Sequence, residues 1–469
     1  MNARETALSL PARVRPVLIS LALLSAASSV TGQTPAPTPL PQDLLTLQGR
    51  SSVVQGSGAR ALGMGGAFLA RADDATAASW NPAGLSYLRL PEVSFVYSGT
   101  KSTSNETTPA TAEFTADRRR GNGPEFLAAT YPLHIGPVPG SAQVSFQRQI
   151  SFTSDRTIDE FSPATEDAPF TRRSTITSSG GFDVIALGSG WQFTNRLRIG
   201  ATLNRWFNGY DQTLDRPVEL GSTHQESHYD LRGWNVNVGA IWTPTDTLNI
   251  GLVYKTAFKG HLALSKLRRD PFPLDTGEVV VRERTADSEG LALDPYLDFP
   301  AAFGFGASLR PRSAVTISLD YTRTRWSTGV IHDFFDLPKT GAPGVFEQLP
   351  YPTLDPSVPQ EDTEQIRAGL EYVFIRGRLK LPIRVGYLND RQYFRGVSGK
   401  MIVGGQTINQ TAAPRFDGWT AGAGIILGRF LFDMAYVFEY GRYLDLQSTA
   451  VNDKSHRVFA SVIYRHSSH

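Results

Sequence analysis

The chain has 469 residues, with 46 basic and 44 acidic side chains for a formal net charge of +2, 41% hydrophobic and 10% aromatic residues, and no cysteine. A near-neutral chain with no long basic block lacks the electrostatic footprint of a nucleic-acid binder, and the missing cysteines exclude disulfides, thiol catalysis and thiolate metal sites together. The apolar content excludes a disordered chain, and the length suits either two or three soluble domains or one large β-barrel.

At the N-terminus, Arg13 and Arg15 precede the uncharged run Val17 to Val30, and Val30 and Gly32 stand at plausible −3 and −1 positions of a cleavage site. This pattern predicts a secretory signal peptide over residues 1–32, with the mature chain beginning near Gln33. The run is too short for a spanning helix, and an ordinary N-terminal helix is the competing reading. Residues 33–46 include TPAPTPLPQ, an extended proline-rich tether. Residues 47–90 carry glycines at 56, 58, 63, 65 and 66 without strand alternation, and Ala67 to Ala78 suits a short helix ended by Asn81-Pro82. They are no phosphate loop, because no Gly-Lys-Ser/Thr follows. No later apolar run suits a spanning helix, so a secreted chain of this kind could cross a membrane only as a closed β-barrel.

Residues 91–469 alternate with period two. Val144, Phe146, Ile150 and Phe152 fall on one face of a strand; Trp234, Val236, Val238, Ala240 and Trp242 on another; Val315 to Tyr321 and Phe430 to Tyr440 repeat the pattern. Fourteen strands are expected, near 93–101, 125–133, 141–152, 181–193, 196–210, 229–243, 247–262, 300–310, 314–327, 364–374, 380–390, 417–428, 429–443 and 455–465. Short turns follow the even strands, and long insertions at 153–180, 263–299, 328–363 and 391–416 follow odd ones. A soluble sandwich has no reason to sort its loops this way. An outer-membrane barrel does, and an even count puts both termini in the periplasm of a diderm bacterium. Trp206, Phe207, Tyr210, Tyr321, Trp326 and Tyr436 to Tyr443 are read as one aromatic girdle, and Trp191, Phe193, Trp242 and Tyr464 as the other. The fold class is therefore all-β, a fourteen-stranded antiparallel transmembrane barrel, with residues 47–90 sized to fill its lumen.

Gly-Ala-Arg-Ala-Leu-Gly-Met-Gly-Gly-Ala from Gly58, then Asp73-Asp74 and Asn81-Pro82-Ala83, resemble the hatch of the FadL-type transporters of long-chain fatty acids and hydrocarbons. Phe299-Pro300-Ala301, Arg367 to Tyr372 and Arg384 to Tyr387 extend the resemblance over most of the mature chain. It implies a hatch motif at Gly63, Gly65, Gly66, Asp73, Asp74, Asn81, Pro82 and Ala83. It also implies capture of a hydrophobic molecule by extracellular loops, passage to a pocket between hatch and wall, and sideways release into the membrane. Fatty acids or aromatic hydrocarbons would be the cargo, with outer-membrane lipid and lipopolysaccharide as neighbours, a monomeric barrel, and no nucleic acid, cofactor or metal. Some relatives serve secretion machinery, so a barrel scaffold that transports nothing is the alternative.

In that family a kink in the third strand opens the wall. Here the strand has no internal Gly or Pro, and Arg148 is its irregularity, either a local break or an arginine snorkelling to the interface. Inward glycines at 200, 239, 251, 304, 306, 369, 422 and 424 either admit a close plug or bend the barrel. Inward Lys255 and Arg367 are candidates for a ligand carboxylate, against the competing role of partners for Asp320, Glu371, Asp433 and Glu439. His224 and His228 sit in an expected loop without a third ligand, and no nucleophile elbow is present, so no metal site and no enzyme is expected.

Overall fold

The computed structural model describes residues 56–108, 113–162, 170–328, 331–332, 362–377, 379–392, 399–403, 406–410, 414–444 and 450–466. The expected signal peptide and tether, and residues 47–55, lie outside them. Fourteen strands among the described residues form the wall: β1 (Glu92–Thr108), β2 (Glu113–Ile135), β3 (Val138–Ser151), β4 (Phe170–Gln192), β5 (Leu197–Phe207), β6 (Gly221–Thr245), β7 (Leu248–Lys255), β8 (Ala302–Arg312), β9 (Val315–Thr324), β10 (Thr363–Arg376), β11 (Leu379–Arg391), β12 (Arg415–Leu427), β13 (Phe430–Leu444) and β14 (Ala450–Arg465). Each pairs antiparallel with the next, and β14 returns to β1 from Arg465↔Glu92 to Ala450↔Thr107, so the ring has no free edge. An ion pair of 2.7 Å between Arg465 and Glu92 reinforces the seam.

One side of the ring is closed by short turns. Gly136 and Gly428, at φ +57° and +59°, supply the left-handed residue that a tight turn needs and a side chain disfavours. The outer surface carries a belt of large apolar side chains, among them Leu187 at 57%, Met434 at 60% and Trp419 at 61% exposure. A belt of this extent needs an apolar solvent, and a closed barrel is the sheet that can enter one with its backbone bonds satisfied. On β6 the exposed Trp234 and the girdle residue Trp242 are eight positions apart, about 26 Å along a strand.

Several expectations are corrected. The stretch 247–262 is not one strand: β7 stops at Lys255, and a new strand, Phe258–Pro273, pairs with β6. The insertions 153–180 and 263–299 are largely strand, since Ser154–Ser162 and Val279–Asp287 extend the sheet beyond the belt. His224 and His228 lie on β6 rather than in a loop, and contact Asp215 at 2.6 Å and Asp211 at 2.7 Å. Val144 and Phe152 do not share a face. The register between β3 and β4 shifts between Arg148 and Ile150, so Gln149 is an extra residue. Below this bulge odd residues such as Gln143, Ser145 and Gln147 are buried; above it even ones are, Phe152 and Ser154 first. A bulge re-aims every side chain beyond it. Trp206, Tyr210 and Trp326 leave the girdle for the interior, at 7%, 1% and 4% exposure.

Candidate functional site

The chain between Gly56 and Leu88 is packed inside the ring. It holds two short helices, α1 (Ala59–Gly63) and α2 (Ala77–Trp80), and a 3₁₀ turn, Pro82–Tyr87. Its residues are almost all buried, with Ala59, Met64, Phe68 and Asn81 at 0%. Close approach explains the inward glycines. A Cβ on Gly239 would stand 1.9 Å from Asn81 Oδ1, one on Gly200 2.4 Å from the Pro82 backbone, and one on Gly369 2.4 Å from the Met64 carbonyl. Seven of the eight expected positions face this segment; Gly424 instead accommodates Asp433. Gly239→Val is accordingly expected to unseat Asn81 at an overpacking cost of about 1–3 kcal/mol, read as a lower temperature for the loss of heat-modifiable electrophoretic mobility.

The motif residues hold this segment in place. Gly65 and Gly66 turn at φ +69° and +78°. The Thr420 hydroxyl accepts from Gly65 N at 2.9 Å and donates to the Gly63 carbonyl at 2.9 Å. Asp74 accepts from Thr76 N and Oγ1 at 2.9 and 2.6 Å, an Asx turn that starts α2. Asn81 Nδ2 donates to the Leu69 and Ala240 carbonyls at 2.8 and 3.1 Å, while its Oδ1 accepts from Ala83 N at 3.1 Å. Pro82 occupies the first position of the 3₁₀ turn, where no N–H is needed.

Buried charge ties the segment to β10, β11 and β13. Arg60 meets Asp73 at 2.7 Å and Asp74 at 3.4 Å; Arg71 reaches Glu371 at 2.6 Å; Arg384 bridges Glu371 at 2.7 Å and Asp433 at 2.5 Å. Burial alone would raise the Asp73 carboxyl, but Arg60 and Arg71 outweigh it and hold it below the ordinary carboxylate range. Arg367 binds Asp390 at 2.7 Å and the Gly65 carbonyl at 3.1 Å, and Asp320 accepts from Phe68 and Leu69 N at 2.6 and 2.7 Å. Inward charges thus serve largely as paired anchors.

Above the segment lies an apolar basin. Phe152, Tyr210 and Tyr229 stack at 3.9 and 4.5 Å between ring centres, and Phe258 stacks on Phe299 at 4.5 Å with Trp206 5.1 Å from Phe299. A cavity of about 60 Å³ adjoins it, lined by Trp206, Phe258, Phe299, Trp326, Asn235 and Lys255. A smaller one of about 20 Å³ joins Lys255 to Asp320 and Arg367. Of the two candidate cations, Lys255 lines both cavities, and Arg367 lines the smaller one while engaged with Asp390. Trp206 was legible in the sequence, since it continues the inward row Arg198, Gly200, Thr202, Asn204.

The wall itself is interrupted. β2 pairs with β3 up to Phe126↔Gln147 and resumes with the strand Ser154–Ser162 at Arg120↔Asp155. Between these points Gly121 to Glu125 has no ladder partner across from Arg148 to Ser154. Glu125 is itself an extra residue against β1, where the register shifts between Val96 and Tyr97. Pro124 brings no N–H to the gap, which removes one orphaned donor. Arg148 stands at the edge of this gap, where it grips Asp183 through Nε and Nη2 at 2.8 and 3.0 Å. A cavity of about 190 Å³ runs from the interruption into the lumen, lined by Asn122, Pro124, Glu125 and Gln149 on the wall and by Leu62 and Phe459 inside it.

Among solved structures, the chain is similar to CymD, a monoaromatic hydrocarbon channel, at 14% identity over 89% of this chain and 99% of that one, TM-score 0.54. The toluene transporter TbuX of Ralstonia pickettii matches at 14% identity over 88% and 99%, TM-score 0.53. A Pseudomonas aeruginosa FadL homologue matches at 10% over 87% and 98%, TM-score 0.53. The fold is that of the FadL-type channels. These structural neighbours are transport channels and not enzymes. No protein-family model and no curated protein matches the sequence.

Proposed function

We propose that this protein moves hydrophobic small molecules, with an aromatic ring or an acyl chain, across an outer membrane. The observation that carries this reading is the interrupted β2–β3 ladder beside an aromatic-lined interior. Cargo enters the basin from the side of the long strands and rests near Lys255. It leaves sideways through the interruption into the bilayer. Burial favours such a path by about 0.8 kcal/mol per methylene, and a lateral exit avoids returning the apolar body to water. Residues 47–90 act as the hatch, both termini face the periplasm, and the barrel works as a monomer among lipid and lipopolysaccharide. Three similar structures, described as a monoaromatic hydrocarbon channel, a toluene transporter and a FadL homologue, support the reading.

The test is uptake of labelled oleate and labelled toluene by cells lacking their own transporter, with and without this protein. Uptake of either is expected; uptake of neither by a barrel folded in the outer membrane would favour a scaffold. Lys255 supplies the cation for a carboxylate head group. Lys255→Met is therefore expected to lower oleate uptake about tenfold, the cost of one charge-assisted contact, while leaving toluene uptake within about twofold. Equal losses for both would remove Lys255 from head-group recognition.

A further inference from the structure

The aromatic cavity and the cavity at the wall opening meet at β3. Gln147 and Gln149 are the two residues that line both of them. Gln147 is the last inward residue of β3 below the bulge, at 8% exposure, and Gln149 is the bulged residue itself. Arg148 between them is held on Asp183, which also accepts from Asn208 Nδ2 at 2.8 Å, so β3 is pinned where the bulge begins. Two positions apart, the two carboxamides share the inward face of β3, and the bulge reverses the faces only above them.

We infer that Gln147 and Gln149 form a polar partition between the aromatic cavity and the wall opening, and that cargo passes only by displacing their carboxamides. This rests on the proposed exit between β2 and β3. A carboxamide carries two donors and an acceptor with two lone pairs. Displacing it leaves its former partners unsatisfied unless the incoming molecule replaces those bonds. The partition therefore slows a purely apolar solute more than one of equal size with a hydrogen-bonding group, and it stops lipid from filling the basin.

The chain has no cysteine, so a single Ala186→Cys substitution in the lining of the interior cavity gives a clean label site. The full-length protein is placed in lipid vesicles containing bilayer-dissolved pyrene maleimide, with glutathione outside to consume reagent in the water. Adding Gln147→Ala and Gln149→Ala is expected to speed labelling at least tenfold, and Gln147→Leu with Gln149→Leu, which keep the bulk, about threefold or more. Heat-modifiable mobility confirms that each variant is folded. An unchanged rate in the alanine variant overturns the partition. A leucine variant as slow as its parent overturns its polar character. Labelling needs no cargo, so the two ideas fail separately: faster labelling without uptake of oleate or toluene rejects transport alone, and uptake with unchanged labelling rejects the partition alone.

Discussion

Glu371→Ala is expected to loosen the luminal segment more than any other single change in the wall. Glu371 accepts Arg71 on one oxygen at 2.6 Å and Arg384 on the other at 2.7 Å, with Arg60 at 3.5 Å. All three arginines stay buried when it is removed. Arg384 retains Asp433 and Arg60 retains Asp73, but the nearest acid left to Arg71 is Asp73 at 3.7 Å. Breaking a buried pair from one side costs about 3–5 kcal/mol, enough to loosen a segment otherwise held by close packing and by the hydrogen bonds of Thr420, Asp320, Arg367 and Asn81. Single-channel recording should then show open events in planar bilayers where the parent is silent, and protease should cut between Gly56 and Leu88. Arg71→Met in the same chain removes the stranded charge and is expected to restore much of the closed state. A variant that stays silent and resistant would show that packing and the remaining hydrogen bonds seat the segment without Glu371.

Much of this architecture could be read from the alternation. A strand with one face in lipid must show period two, and a plugged lumen must show glycines wherever two backbones meet, so Gly200, Gly239 and Gly369 were legible before their contacts were seen. The buried acids and bases were legible for a related reason, since an inward charge on a membrane strand needs a partner. What alternation could not reveal was a change of phase. One extra residue at Gln149 reverses the faces of everything above it, and neither Val144 nor Phe152 carries a mark of that reversal. Residue type hid the rest of the aromatic basin, because Tyr210 suits a girdle and a lumen equally well, whereas the inward row on its strand already placed Trp206 inside. The strand boundary also mattered. Starting β2 at 125 left Gly121-Asn122-Gly123-Pro124 in an expected loop, and with it the plainest signal for an interrupted wall.

Gly123→Thr with Pro124→Val is expected to close that interruption and to cut uptake at least tenfold. The sequence Gly-Asn-Gly-Pro is a poor ladder element, because glycine costs backbone entropy in a strand and proline cannot donate. Valine returns the missing N–H, and threonine and valine both favour extended backbone. The steric risk is small at Gly123, where a Cβ would meet nothing within 4 Å; Gly121, whose Cβ would stand 1.9 Å from the Thr153 carbonyl, is left alone. Binding and release then separate. Quenching of interior tryptophan fluorescence by toluene should persist, since Trp206 and Trp326 line the cavity below the partition, while uptake falls. Hydrogen exchange supplies the independent check: amides at 122–124 and 149–153 should gain protection as the ladder forms. Protection gained with uptake unchanged would mean that cargo leaves elsewhere. Uptake lost without protection would mean that the substitutions act on something other than the ladder, and the exit would have to be sought around the luminal segment instead.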